Sequence, residues 1–280
     1  MSEMHNMDRR SFLKVGTAGL ALTGPLAQLA AADDSPYGGF KMGLQSYSLR
    51  AFETDEALAK TKELGLRHWE SFSKHFPLTD SAAKLADYKK QLAAQGITLV
   101  AYGVQAFGKD SSANRKQFEF AKAMGITTIS ADPTPESFDN LDKLVEEFRI
   151  NIAIHNHGPG SRYSKIEDVL DAVRNHNERI GACVDTGHYL RSDVNPVAAI
   201  EAFGPRTYGV HLKDVKTLDG GKKQFTILGK GDLDVVGCLK LLKKLKFDQC
   251  LSLEYEENEK NPMADIRECL AVVRDAVKKV

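Results

Sequence analysis

Ile152-Ala153-Ile154-His155 is the first of four runs built alike; the others are Ala182-Cys183-Val184-Asp185, Tyr208-Gly209-Val210-His211 and Leu251-Ser252-Leu253-Glu254. Each is short and apolar, and each ends in a residue able to bind a metal. Helical-looking segments separate them. A repeating strand–helix chain with polar residues at the C-terminal ends of its strands is the pattern of a (β/α)8 TIM barrel, an α/β fold whose active site lies at that face. Two imidazoles and two carboxylates converging there, from His155, Asp185, His211 and Glu254, would hold one divalent ion and leave a position open for substrate.

The rest of the chain fits this frame. Strands are expected at residues 41–48, 67–72, 97–104, 126–131, 151–155, 180–185, 207–212 and 249–254, and helices at 54–64, 81–94, 115–124, 137–148, 165–175, 196–203, 235–245 and 262–277. Leu64-Gly65, Gln95-Gly96 and Met124-Gly125 repeat one helix stop, because glycine takes the left-handed conformation past a helix end cheaply. Eight alternating units without a break in composition predict one closed barrel, a single catalytic domain over residues 41–280. An open doubly wound sheet would carry a Gly-rich phosphate loop after its first strand. Here that strand runs instead into Gln45-Ser46-Tyr47-Ser48-Leu49-Arg50.

The 280 residues exceed the roughly 250 that such a barrel uses. Lys and Arg number 38, as do Asp and Glu, so the formal charge is zero. With no basic stripe, nucleic acid is not the expected partner. Cys183, Cys238, Cys250 and Cys269 form no C-x-x-C pair and read as small buried hydrophobes. The N-terminus is a separate object. Arg9-Arg10-Ser11-Phe12-Leu13-Lys14 precedes a weakly apolar stretch interrupted by Gly16, Gly19, Gly24 and Pro25, and then Ala30-Ala31-Ala32. This resembles a twin-arginine export signal over residues 1–32, with residues 33–40 as a short linker, and not a stable membrane anchor. A periplasmic or exported location follows. Such substrates cross the membrane already folded.

Further polar residues gather behind the strands. His157 alternates with His155 and shares its face if the strand continues. His188, in Asp185-Thr186-Gly187-His188, is a candidate substrate contact. The next helix is expected only at Pro196, so Asp185 has no capping duty. Lys213 alternates with His211 and can bind a carbonyl oxygen or stabilise an enolate. Glu70, in His68-Trp69-Glu70, is a candidate base, a substrate acceptor or a partner for Arg67. Tyr255, Glu256 and Glu257 read as solvated rim.

These motifs, with Ile154-His155-Asn156-His157, Val210-His211-Leu212-Lys213-Asp214 and Leu228-Gly229-Lys230-Gly231-Asp232, resemble the sugar phosphate isomerase/epimerase family, the xylose-isomerase-like barrels. The resemblance spans the chain from about residue 41. It implies one divalent ion, such as Mn, Zn, Co or Fe. Asp185, His211 and Glu254 match its ligand positions, and His188 matches a substrate-binding histidine. Many family epimerases carry glutamate where this chain has His155. A metal-bound histidine is a poor second base, so symmetric two-carboxylate epimerisation is not expected.

The expected activity is therefore that of a divalent-metal-dependent sugar isomerase or epimerase. The substrate is a small unphosphorylated carbohydrate or keto-sugar, since an exported enzyme meets few phosphorylated metabolites. Glu254 is the favoured base and His157 the reserve. The alternatives are a lyase or hydratase acting on 3-keto-glycosides, a non-catalytic sugar-binding barrel, and a nuclease with several metals. For the export reading, replacing Arg9 and Arg10 together by lysine is expected to leave the protein inside the cell, as read by fractionation. Normal export of that variant would refute the targeting assignment.

Overall fold

In a computed structural model that describes residues 36–280, eight strands close a parallel barrel. They are β1 (Lys41–Gln45), β2 (His68–Ser71), β3 (Thr98–Phe107), β4 (Thr128–Pro133), β5 (Asn151–His155), β6 (Ile180–Asp185), β7 (Thr207–Leu212) and, after an excursion, β10 (Cys250–Leu253). Each pairs in parallel with its neighbour, and β1 closes the ring between β2 and β10. Helices α1 (Thr54–Glu63), α2 (Ala82–Gln95), α3 (Ser111–Met124), α4 (Phe138–Phe148), α5 (Ile166–Val173), α6 (Thr186–Arg191), α7 (Pro196–Phe203), α8 (Val235–Lys244) and α9 (Met263–Val277) connect them. The single-domain (β/α)8 barrel expected from the sequence is the fold observed.

The strands are short apolar runs buried along almost their whole length, as parallel strands covered by helices must be. The expected helix stops hold at Gly96 and Gly125, whose φ values of 67° and 77° cap α2 and α3 in the left-handed region. Side chains fix the other ends: Asp110 accepts from the Ser112 and Ala113 amides, and Asn195 from the Val197 amide. Tyr37 and Phe40, in the stretch read as a linker, are buried against the barrel.

Three local features depart from the reading. Residues 46–49 form a 3-10 turn and not the end of the first strand. The chain after β7 makes an antiparallel hairpin, β8 (Asp214–Thr217) and β9 (Lys223–Thr226), outside the barrel. Asp214 anchors it: its buried carboxylate accepts from the amides of Val215, Gly229, Gly231 and Leu233 at 2.8–3.0 Å. The third departure is α6, which begins directly after β6; Asp185 caps it after all, accepting from the His188 amide at 2.7 Å. The export signal lies outside the described residues. Among those described, no helix is long and apolar enough to cross a membrane.

His75 reports on the packing at the β2 end of the barrel. Its ring stacks on Trp69, its Nε2–H donates to the Phe52 carbonyl at 3.2 Å, and its Nδ1 is buried without a partner. Burial outweighs the Phe52 bond and lowers its pKa from 6.5 to about 4. The folded chain thus resists a proton that the unfolded chain accepts. This contribution to stability is complete above pH 6.5 and is lost as pH falls towards 4. At about 1.4 kcal/mol per pKa unit, up to about 3 kcal/mol is involved. In urea unfolding at pH 7 and pH 5, His75→Gln is expected to lose less stability on acidification than the parent. An unchanged pH slope would refute the assignment.

Candidate metal and substrate site

The four apolar runs become β5, β6, β7 and β10, neighbours in the barrel wall, so their last residues meet at one mouth. His155, Asp185, His211 and Glu254 each bring one ligand-capable atom within 4.8 Å of the others, and all four residues are buried. The His155 Nε2 lies 3.1 Å from the His211 Nδ1 and 3.4 Å from the Asp185 Oδ2. The Glu254 Oε2 lies 3.2 Å from the His211 Nδ1. Asp185 divides its two oxygens: Oδ1 caps α6, and Oδ2 faces the group.

This donor set suits a divalent metal. The Asp185 Oδ2 and the Glu254 Oε2 are buried and accept no hydrogen bond of good geometry, and the cation beside them is the Lys213 ammonium, 3.1 and 2.7 Å away. Buried acceptors without donors are expensive unless a cation completes them. Burial outweighs the pull of Asp185 and lowers the pKa of His155 to about 4, so its ring is neutral and free to ligate near neutrality. Burial would also raise both carboxyls. Lys213 and the histidines overcome it, holding Asp185 well below its usual range and Glu254 at about 2.

Glu70 does not face the cavity. It sits behind His211, whose Nε2–H donates to its Oε2 at 3.0 Å; Ser252 Oγ donates to the same oxygen at 2.7 Å, and Ser130 Oγ donates to Oε1. With both oxygens engaged, Glu70 fixes the His211 tautomer and turns Nδ1 towards the group. This is the carboxylate–histidine arrangement found behind many metal ligands. Neither a base nor a partner for Arg67 fits that placement.

A cavity of about 410 Å³ opens above the group, with His155, His157, His188, Lys213, Glu254 and Glu256 on one side and Gln45, Tyr47, Phe72 and Val104 on the other. The β5 strand ends at His155, yet the His157 ring stays 4.6 Å from that of His155 and 5.3 Å from that of His188. Arg191 donates to the His188 Nδ1 at 3.1 Å, which leaves Nε2–H as the donor. Burial, reinforced by Lys213 and His155, lowers the pKa of His188 to about 3, so it is a neutral hydrogen-bonding group. Lys213 turns inward, 2.7 Å from the Glu254 Oε2 and 3.1 Å from the Asp185 Oδ2. Burial opposes its charge, but these carboxylates and Glu256 raise its pKa, and it stays an ammonium.

Sequence reasoning missed several members. Glu256, read as rim, lines the cavity and pairs with Lys213. Tyr255, also read as rim, is buried and donates to Asp265 at 2.7 Å. Asn156 ties the ends of β5 and β6, exchanging bonds with the Asp185 backbone at 2.8 and 2.9 Å. Thr186 does the same for β7, donating to the Lys213 carbonyl at 2.7 Å and accepting from its amide at 2.9 Å. The alternation of Glu254 and Glu256, identical to that of His211 and Lys213, was the signal that could have found Glu256.

A family model described as the xylose isomerase-like TIM barrel matches residues 58–276. The chain belongs to that family. An inosose dehydratase of Clostridium beijerinckii is 26% identical over 138 residues, 44% of this chain and 46% of that protein. The match thus spans about half the length of that curated relative. The IOLI protein, solved with a zinc atom, superposes with a TM-score of 0.70 at 18% identity over 86% of this chain and 99% of its own. The D-psicose 3-epimerase of Clostridium cellulolyticum H10, solved with D-tagatose, superposes at 0.68 and 15% identity over 85% and 99%. At those identities the two structures show the shared fold.

If the four residues hold an ion, Asp185→Ala is expected to retain far less metal than the parent by elemental analysis. Glu70→Gln keeps all four donors but loosens His211, so metal affinity is expected to fall by about 10–100-fold. Equal metal content in the parent and Asp185→Ala would refute the ligand group.

Proposed function

We propose that this chain is a divalent-metal-dependent enzyme that removes a proton next to a carbonyl of an unphosphorylated carbohydrate or keto-sugar, in the manner of a sugar isomerase or epimerase. The observation that carries this reading is the buried group of His155, Asp185, His211 and Glu254 on the floor of a cavity walled by His157, His188 and Lys213. Oxygen and imidazole donors suit Mn, Zn, Co or Fe better than calcium. The described residues offer one ligand group, whereas a nuclease of the same barrel would need several.

When bound, such an ion acidifies the C–H beside a carbonyl by drawing electrons from it. The chain's own residues supply the rest. Glu254 is ionised throughout the neutral range and faces the cavity, so it accepts the proton as the C–H bond breaks and its electrons move towards the carbonyl oxygen. The Lys213 ammonium stands where negative charge grows on that oxygen. Neutral His188 donates from Nε2 to a substrate oxygen, and His157 is the reserve base or acid. Isomerisation is complete when the proton returns to the former carbonyl carbon, the former carbonyl oxygen gains a proton and the neighbouring hydroxyl gives one up, an exchange open to His157.

A second reading is elimination of water from the same enolate. The name of the curated relative, inosose dehydratase, favours it, as does His155 at the position where the resemblance places an epimerase's second carboxylate. In this reading His157 protonates the departing hydroxyl. Export through the twin-arginine route is part of the proposal. It rests on Arg9-Arg10 and argues for a substrate without phosphate.

Heavy-water exchange tests both readings at their shared step. Parent protein is expected to exchange the C–H next to the carbonyl of a suitable keto-sugar or keto-cyclitol. Metal-loaded Glu254→Gln is expected to be slower by about 10²–10⁴-fold. Exchange at the parent rate by a loaded variant would move the base to His157, and binding without exchange in the parent would leave a sugar-binding barrel.

A further inference from the structure

The segments that leave those four strands carry a second layer two residues after the ligand group. Above His155, Asp185, His211 and Glu254 stand His157, Gly187, Lys213 and Glu256. Gly187 is the gap in this layer: a Cβ there would lie 2.6 Å from the Lys213 Cγ and 2.8 Å from its Cδ. The lysine stem therefore passes over Gly187, and its buried ammonium meets three carboxylates, those of Asp185, Glu254 and Glu256.

Two of those oxygens, the Asp185 Oδ2 and the Glu254 Oε2, also face the ligand group. An ammonium and a divalent cation cannot both be held closely by them, because like charges that close in a poorly solvated site repel strongly. The third oxygen, the Glu256 Oε1, lies outside the group. Its backbone is pinned, since Arg50 donates to the Glu256 carbonyl at 2.6 Å and pairs with Glu259 at 3.2 Å. The Glu256 side chain is 23% exposed, against 3% for Lys213, so this acceptor lies towards the open cavity.

We propose that Glu256 is a positioning residue: it holds the Lys213 ammonium at the cavity wall when a divalent cation takes the Asp185 and Glu254 oxygens. In the metal-free chain, Lys213 serves as the internal cation for those two carboxylates. On loading it gives them up, keeps Glu256, and points its remaining donors at the substrate. Glu256 thus governs metal entry without being a ligand. This rests on the metal-binding reading above.

The test is the dissociation constant for Mn2+, read by competition with a chromophoric chelator on the full chain. Lys213→Met removes the competing cation and is expected to bind at least about tenfold more tightly. Glu256→Gln deprives the ammonium of its alternative partner and is expected to bind about tenfold more weakly, within the range of residues that support metal ligands. In the double variant most of the Glu256 effect is expected to vanish, because it acts through Lys213. Equal weakening by Glu256→Gln in both backgrounds would overturn the proposal, as would unchanged or weaker affinity in Lys213→Met. Should Lys213→Met not fold, Glu256→Asp decides: it is expected to regain parent affinity, and behaviour like Glu256→Gln would count against the proposal. A parent that binds no Mn2+, Zn2+ or Co2+ would overturn the metal reading itself.

Discussion

Two buried carboxylates at the ends of β10 and β6, the strands on either side of β7, set the terms for this barrel mouth. Asp185 is fully buried and Glu254 nearly so. Neither can stay charged there without cations close by. Lys213 supplies one. His211 supplies another: burial opposes its charge, but the surroundings of Cys183, Glu70 and Glu254 raise its pKa well above the usual range. Burial pushes the Cys183 thiol up to about 11, so it stays neutral and the two carboxylates carry the effect. Four acids, Asp185, Glu254, Glu256 and Glu70, then face two cations. A divalent ion that took the His211 Nδ1 would displace the proton there, exchanging that charge for its own.

Much else follows from that requirement. Gly187 is small so that the lysine stem can cross the strand end. Thr186 grips the Lys213 backbone from both sides of its peptide, and Asn156 fixes the ends of β5 and β6 at the height where His155 and Asp185 meet. Ser130 and Ser252 hold Glu70, which in turn holds His211. None of these residues lines the cavity, yet each fixes a member of the ligand group or Lys213, directly or through Glu70.

What the sequence disclosed follows from which forces are local. The barrel was legible because strand and helix periodicities, and the glycine stops at Gly96 and Gly125, are written within a few neighbours. The ligand group was legible because each member closes its own apolar run. Glu70 was placed correctly on its strand and wrongly in its duty, since its partners across the barrel lie 60 to 182 residues away in the chain. Asp185 lost its capping role in the reading because α6 is short and polar, and its start is marked by little except Asp185 itself. Glu256 was hidden by composition: Glu256-Glu257-Asn258-Glu259 reads as a solvated charge run, and only Lys213, fixed by a different strand, turns one of those charges inward.

The two-layer arrangement also bears on which reaction follows proton loss. Isomerisation and dehydration share the enolate, so the deep layer, which prepares the proton and the oxygen, cannot distinguish them. The distinction lies in what stands beside the next C–O bond. A site that returns the proton to carbon needs a group whose proton stays on the substrate face. A site that expels hydroxide needs an acid aimed at that oxygen. The shallow layer offers the His157 imidazole, two residues past the end of β5, and the Glu256 carboxylate, which pairs with Lys213. Within the proposed chemistry, discrimination between the two outcomes therefore falls to the cavity-wall groups outside the ligand group, His157 first among them.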